Sequence, residues 1–349
     1  MNKHLKKLAF LAISAMTAVS SAQANGVLNI YSARHYPSDE QLYQGFTKAT
    51  GIEIRRVDAD DAGILARLKA EGANSPADVV LLVDAARLWK AEESGLFAPI
   101  QSDALQRSIP ASLRAEPNAK GETAWFGFST RARVIVFDKQ KWKASDLASY
   151  EALGDPKFKG QLCIRSGSHP YNLSLFGSVL EHLGASATEN WLKAMVSNMA
   201  RKPKGGDTDQ IRGVASGECG VAVTNTYYLA RILASKKPED QQVAERIGVS
   251  FPNQASWGTH VNIAGGAVAK HAPHRDNAVR FLEYLATPEA QAHFANGNNE
   301  WPANPKVQFE NAALKAMVPA GFKSETLPVG RIGANQTRVQ QMLDRVGFN

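Results

Sequence analysis

The sequence predicts a two-lobed α/β protein, each lobe a mostly parallel sheet flanked by helices, with strands crossing between the lobes. Three observations carry this reading. The chain has 349 residues, more than one hydrophobic core ordinarily organises. Its first hundred or so residues alternate β-rich and helical stretches, the pattern of parallel strands covered on both faces. Near residue 126 the alternation stops and strand-like segments follow one another, as a connection between lobes requires.

The elements can be taken in order. Residues 1–24 stand apart. Lys3, Lys6 and Lys7 precede an apolar run over 8–19, and Ala22-Gln23-Ala24 offers a small-residue cleavage site, which together read as a secretory signal peptide. The run is well short of the roughly 20 residues a membrane span needs, and no cysteine follows the cleavage site to accept a lipid. Removing 24 of 349 residues leaves 325, and losing the three lysines lowers the formal charge from +7 to +4. That excess forms no basic run and no stripe of interleaved aromatics, so there is no nucleic-acid footprint.

Residues 27–31 make a first strand, and Ser38-x-x-Gln41 is a capping box opening a helix. That helix puts Leu42, Phe46 and Ala49 on one face and stops at Gly51. A strand over 52–57, a helix over 64–70, an apolar strand over 77–83 and a helix over 85–93 follow. Segments 126–128 and 134–137 are strands without a helix between them. The second block has strands over 161–164 and 220–223 and helices over 173–183, 189–195 and 210–215. The apolar, glycine-containing stretch 261–268 is the return crossing, and amphipathic helices over 275–286 and 288–295 finish the pattern. The expected partition is 25–130 plus 260–308 for one lobe and 131–259 plus 309–349 for the other. Cys163 and Cys219 are the two cysteines. In an exported chain such a pair is expected as a disulfide, two buried thiols being the alternative.

Four of the eight tyrosines share a placement. Tyr36 lies between the first strand and its helix. Tyr171 lies between strand 161–164 and the helix that follows, and Tyr227 and Tyr228 lie between strand 220–223 and the helix continuing Leu229-Ala230-Arg231. These are carboxyl ends of strands, where open α/β sheets bind ligands, and a first helical turn favours a phenolate. Tyr31, Tyr43, Tyr150 and Tyr284 read as packing residues. A single junction tyrosine is more often a packed ring with a bonded hydroxyl; four at three junctions point to a shared site. A phenol with a pKa near 10 ionises at neutral pH only beside strong positive charge. A hard trivalent cation supplies that charge and prefers anionic oxygen ligands.

At this point Tyr31-Ser-Ala-Arg-His-Tyr36, Ala77-Asp-Val, Arg131-Ala-Arg-Val134, Cys163-Ile-Arg-Ser166, Asn225-Thr-Tyr-Tyr-Leu-Ala-Arg231, Phe251-Pro-Asn-Gln254 and Gly258-Thr-His-Val-Asn262 resemble the periplasmic ferric-ion-binding proteins, most of all their cyanobacterial Fut-type branch. The resemblance runs through nearly all of the chain after residue 24. It implies a type II periplasmic binding-protein fold that closes around Fe³⁺ and delivers it to an ATP-driven inner-membrane permease with its cytoplasmic ATPase. It implies a monomer and no catalysis. The family's iron-ligating tyrosines fall on Tyr36, Tyr171, Tyr227 and Tyr228. His35 stands where some members use a histidine ligand and others do not, and Arg131 and Arg231 stand as charges behind the ligands. This sequence departs from the family pattern at Ala33, Pro37 and His169-Pro170, the last placing a second histidine beside Tyr171.

Other signals are weaker. Asp58-x-Asp60-x-x-Gly63 begins like a calcium loop but has Ala62 and Lys69 where carboxylates belong. His271-Ala-Pro-His274 sits in a polar loop, and Gly205-Gly206-Asp207 reads as a turn before a helix. There is no nucleophile elbow, phosphate-binding loop or paired zinc histidines on a helix. The rival readings are a binding protein for a polyamine, thiamine or a phosphate ester, and a secreted hydrolase. The latter would rest on Ser168 and His169, which lack a recognisable third partner.

Overall fold

The computed structural model describes residues 26–34 and 36–348, so the signal peptide expected over 1–24 and the ligand candidate His35 lie outside the described residues. The first block holds β1 (Val27–Ser32), α1 (Asp39–Thr50), β2 (Glu53–Asp58), α2 (Asp61–Glu71), β3 (Val79–Val83), α3 (Ala85–Glu93) and α4 (Asp103–Ser108). Strand β4 (Phe126–Asp138) leads into the second block. That block contains β5 (Leu162–Cys163), α5 (Pro170–Leu183), α6 (Ala185–Asn198), α7 (Asp207–Ser216), β6 (Val221–Asn225), α8 (Thr226–Ala234), α9 (Pro238–Arg246) and β7 (Ile247–Ser250). Strand β8 (Val261–Val268) returns, followed by α10 (Arg275–Leu285), α11 (Pro288–Asn298), β9 (Trp301–Pro302), α12 (Ala312–Met317), α13 (Val329–Ala334) and α14 (Gln336–Val346).

Strand order is β2-β1-β3-β8-β4-β6-β5, with β7 and β9 also pairing β4. The two short strands expected at 126–128 and 134–137 are one continuous strand, buried along its whole length. Ser129, Arg131 and Arg133, alternate residues of one face, interrupt its apolar pattern because they bond the buried carboxylates of Glu300 and Asp207. Residues 126–132 of β4 pair with β8, and 133–137 pair with β6, so one strand serves both blocks. Parallel pairing joins β1 to β2, β1 to β3 and β5 to β6. Every pair that includes β4 or β8 is antiparallel, because a chain that crosses out and back must reverse direction.

Each block is covered on both faces, as the two-residue period of a strand demands. Leu28 and Ile30 of β1 pack with Phe46, Phe281 and Leu282 on one face, whereas Tyr31 packs with Leu82, Leu88 and Trp125 on the other. Along β4 the alternation repeats. Ile135 and Phe137 join Phe176, Leu192 and Leu343, and Val134 and Val136 join Ile211, Ala222 and Ala230. Within α1, Leu42 and Phe46 are buried as expected, but Ala49 is exposed and Tyr43 takes its place. The capping box at Ser38 does not form. Ser38 is itself helical in backbone, and its hydroxyl donates to Asn298 of α11, a tertiary partner displacing a local one. Gly51 closes α1 at φ 73°, a left-handed conformation that glycine adopts without strain. The C-terminal helices, without a clear sequence signal, divide their apolar residues. Val329 and Ile332 of α13 join the Trp125 cluster, and Val339, Met342 and Leu343 of α14 join the Phe176 cluster.

Cys163 and Cys219 form a disulfide with Cα atoms 5.8 Å apart, tying β5 to the turn before β6. The sequence separation is 56, for which chain-entropy arguments give about 4 kcal/mol. Replacing both by alanine is expected to lower the free energy of urea unfolding by about that amount. Thiol titration of the denatured wild type should find none free; two free thiols would show that the bond is absent in the isolated protein.

Candidate metal centre

The connections at the ends of β1, β5 and β6 converge. Tyr36 follows β1. Tyr171 lies in the first turn of α5, not before it: Pro170 occupies the first helical position, where its missing N–H is harmless. His169 is the N-cap, its Nδ1 accepting from the Tyr171 N–H at 3.2 Å. Tyr227 and Tyr228 lie in the first turn of α8, whose N-cap is Asn225. Two helix N-termini, each carrying partial positive charge, thus present three phenols.

The hydroxyls of Tyr171 and Tyr227 are 3.2 Å apart. The rings of Tyr227 and Tyr228 lie 4.1 Å apart, and the Tyr36 ring meets the Tyr227 ring edge-on at 6.4 Å. All four expected tyrosines are therefore brought together, with Tyr36 arriving from the first block and the rest from the second.

Arginines surround them. The guanidinium carbon of Arg131 is 5.7 Å from the Tyr227 ring centre, and that of Arg231 is 5.9 Å from both Tyr227 and Tyr228. Three arginines given no role by sequence reasoning also contribute: Arg34 at 4.9 Å from Tyr36, and Arg165 and Arg133 at 5.1 and 5.8 Å from Tyr171. Each lies inside a motif that carried the family resemblance, so the signal was present without a geometry to interpret it. Arg34 pairs with Asp39 at 2.8 Å and with Glu300 at 3.1 Å, and Glu300 also binds Arg131. Asp207 holds Arg133 and Arg165 and accepts from the Asn225 N–H at 2.7 Å. Arg133 also donates to Asn172 of α5 at 2.7 Å and to Asn225 at 3.2 Å. One buried network therefore fixes both helix ends that present phenols. Five arginines against the carboxylates of Asp39, Asp207 and Glu300 leave two positive charges around neutral tyrosines.

Burial raises the pKa of Tyr36, Tyr171 and Tyr227, and the neighbouring Arg131 opposes it in each case. Desolvation thus favours the protonated phenols, and Arg131 favours the phenolates. His169 is pushed down to about 3, first by burial and then by Arg165 and Arg133, so it stays neutral. Four phenolates around a trivalent cation would carry one net negative charge, which the arginine excess offsets.

Tyr31, Tyr43, Tyr150 and Tyr284 serve packing. Tyr31 donates to Glu71, Tyr43 stacks on Phe281, Tyr150 donates to the Arg133 carbonyl, and Tyr284 lies against Phe46. Asp60 caps α2, and His274 binds Asp78 at 3.0 Å. Among the described residues, only Cys163, Glu218 and Cys219 group as histidine, cysteine or carboxylate metal ligands, and their sulfurs are bonded to each other. Glu300 had no recognisable sequence signal; it ends the polar run Gly297-Asn-Asn-Glu300.

Two α/β blocks joined by crossing strands, with a polar cluster contributed by both at the carboxyl ends of strands, define a two-lobed binding protein of the type II periplasmic class. Residues 41–319 match the family described as bacterial extracellular solute-binding protein. The chain is 44% identical to iron uptake protein A1 of Synechocystis, covering 92% of this chain and 87% of that protein. It is 28% identical to the major ferric iron-binding protein of Neisseria meningitidis, covering 85% and 86%. A solved structure of the Trichodesmium protein named IdiA or FutA, in complex with iron and citrate, superposes with a TM-score of 0.88. Identity there is 47%, over 93% of this chain and 100% of that one. The chain belongs to the bacterial extracellular solute-binding proteins, in their Fut-type branch.

Proposed function

We propose that this protein binds Fe³⁺ in the cleft between its lobes through Tyr36, Tyr171, Tyr227 and Tyr228, and hands it to an inner-membrane ABC permease for uptake. The observation that carries the reading is the convergence of four phenols from both blocks inside a ring of arginines. Arg131 and Arg231 support the ionised ligands, with Arg34, Arg133 and Arg165 beside them, and His35 is a further ligand candidate. The lobes run over 25–130 with 260–308 and over 131–259 with 309–349, α13 reaching back to pack on the first. Fe³⁺ is cargo, bound and released unchanged, so the protein is not an enzyme. It works as a monomer in the periplasm, where the segment over 1–24 directs it. The curated names of its relatives and their iron-bound structure agree with this cargo.

Adding chelated Fe³⁺ is expected to produce a visible tyrosinate-to-iron charge-transfer band. It should also raise the melting temperature, because a ligand that binds only the folded state stabilises it, by about 2.7 kcal/mol at a hundredfold excess over Kd. A colourless protein with unchanged melting would overturn the iron reading.

A further inference from the structure

Asp84 closes β3 and caps α3 with a backbone that an L-residue rarely adopts, φ 106° and ψ 129°. The other non-glycine residues of positive φ among those described, Asn253 at 61° and Asn299 at 59°, lie in the ordinary left-handed region and are of the type that tolerates it. Such strain persists only where the surroundings over-determine it. Here the carboxylate, fully buried, does so. It accepts from the Ala86 N–H at 2.9 Å within its own helix, from Asn262 Nδ2 of the crossing strand β8 at 2.8 Å, and from Ser174 Oγ at 2.7 Å. The last bond alone reaches α5 of the opposite block. Ser174 lies three residues after Tyr171 on the same helix, so it fixes the turn that presents a phenol.

We propose that Asp84 is a closure latch: its bond to Ser174 joins the first block to the helix bearing Tyr171, and is made only when the two blocks are together. It is a positioning residue, acting on the metal centre through α5 without touching the tyrosines. A contact present in the closed state and absent in the open one shifts the population toward closure. It therefore slows escape of whatever the cleft holds. The part of the proposal that concerns iron rests on the function proposed above; the latch itself does not.

The test uses Ser174→Ala, which removes only the cross-block bond, and Asp84→Asn, which keeps a side chain tolerant of positive φ but removes the charge. Both variants should keep the wild-type charge-transfer band, because all four phenols remain. Ser174→Ala should lose iron to an excess of chelator about tenfold faster than wild type, the effect of one hydrogen bond to a charged acceptor, with Asp84→Asn in between. Without iron, both should have a larger radius of gyration by solution scattering, while Ser174→Ala melts at the wild-type temperature. A purely structural role would lower the melting temperature and leave release unchanged. Equal radii together with equal release rates overturn the latch. If the wild type takes up no iron, the cargo reading fails on its own, and the radii alone decide the latch.

Discussion

Tyr227→Phe combined with Tyr228→Phe is expected to abolish the Fe³⁺ band and the thermal stabilisation, whereas Tyr36→Phe keeps both in weakened form. The double variant removes two of the three phenols of the second block. The remaining oxygens cannot neutralise Fe³⁺ or compete with its hydrolysis. Tyr36→Phe leaves Tyr171, Tyr227 and Tyr228 in place and deletes only the ligand brought by the other block. Its band should shift and its iron should leave faster, the outcome expected of our proposal that iron binds the three-tyrosine lobe first and that closure then adds the fourth phenolate. Visible spectra and chelator-driven release of the variants check both statements. If Tyr36→Phe lost iron as completely as the double variant, that order of binding would be wrong.

The same chemistry fixes the pH dependence. Burial raises Tyr36, Tyr171 and Tyr227 above the ordinary phenol value of 10.0, so iron must displace protons to bind there. Retention should therefore rise with pH, and release should accelerate on acidification. Reduction should also accelerate it, since Fe²⁺ is a weaker partner for phenolates.

Glu300→Gln is expected to destabilise the iron-free protein by about 3–5 kcal/mol, the range for removing one partner of a buried ion pair. Glu300 is buried between Arg34 and Arg131, and Ser129 donates to it at 2.9 Å. Without its charge, Arg34 keeps Asp39 as its ion pair, whereas the buried Arg131 loses its carboxylate partner. Burial by itself would raise the Glu300 pKa, but Arg34 and Arg131 outweigh it and hold the value below the ordinary carboxylate 4.5. A lowered folded pKa gives stability that is complete above the unfolded value and is lost as pH falls toward the folded one. The gap between wild type and variant should therefore be widest above pH 4.5 and narrow as the solution is acidified below it. Urea unfolding at several pH values measures this. A loss below about 1 kcal/mol at neutral pH, the range of an exposed pair, would show that the network is hydrated in solution.

Much of this protein was legible from periodicity and junction placement. Strand β3 and helix α3 declare themselves because a fully buried strand is apolar throughout and an amphipathic helix repeats at its own period. The four tyrosines stood out because strand ends are where α/β sheets bind. The pairing of Cys163 with Cys219 followed from compartment and count. Local sequence also misled. Ser38 has the residues of a cap but turns to Asn298, and the polar middle of β4 hides one continuous strand behind two fragments.

By itself, then, the sequence determined the class of fold, the tyrosine cluster and the chemistry of a cation that clustered phenols would hold, because these depend on residue type and local period. Only the tertiary structure decided the rest. Distant segments had to be juxtaposed before Arg34, Arg133 and Arg165 acquired a role beside the phenols, before Glu300 met Arg34 across 266 residues, and before Asp84 met Ser174. Electrostatic energy depends on distance and burial, and neither quantity is written in the order of residues along a chain.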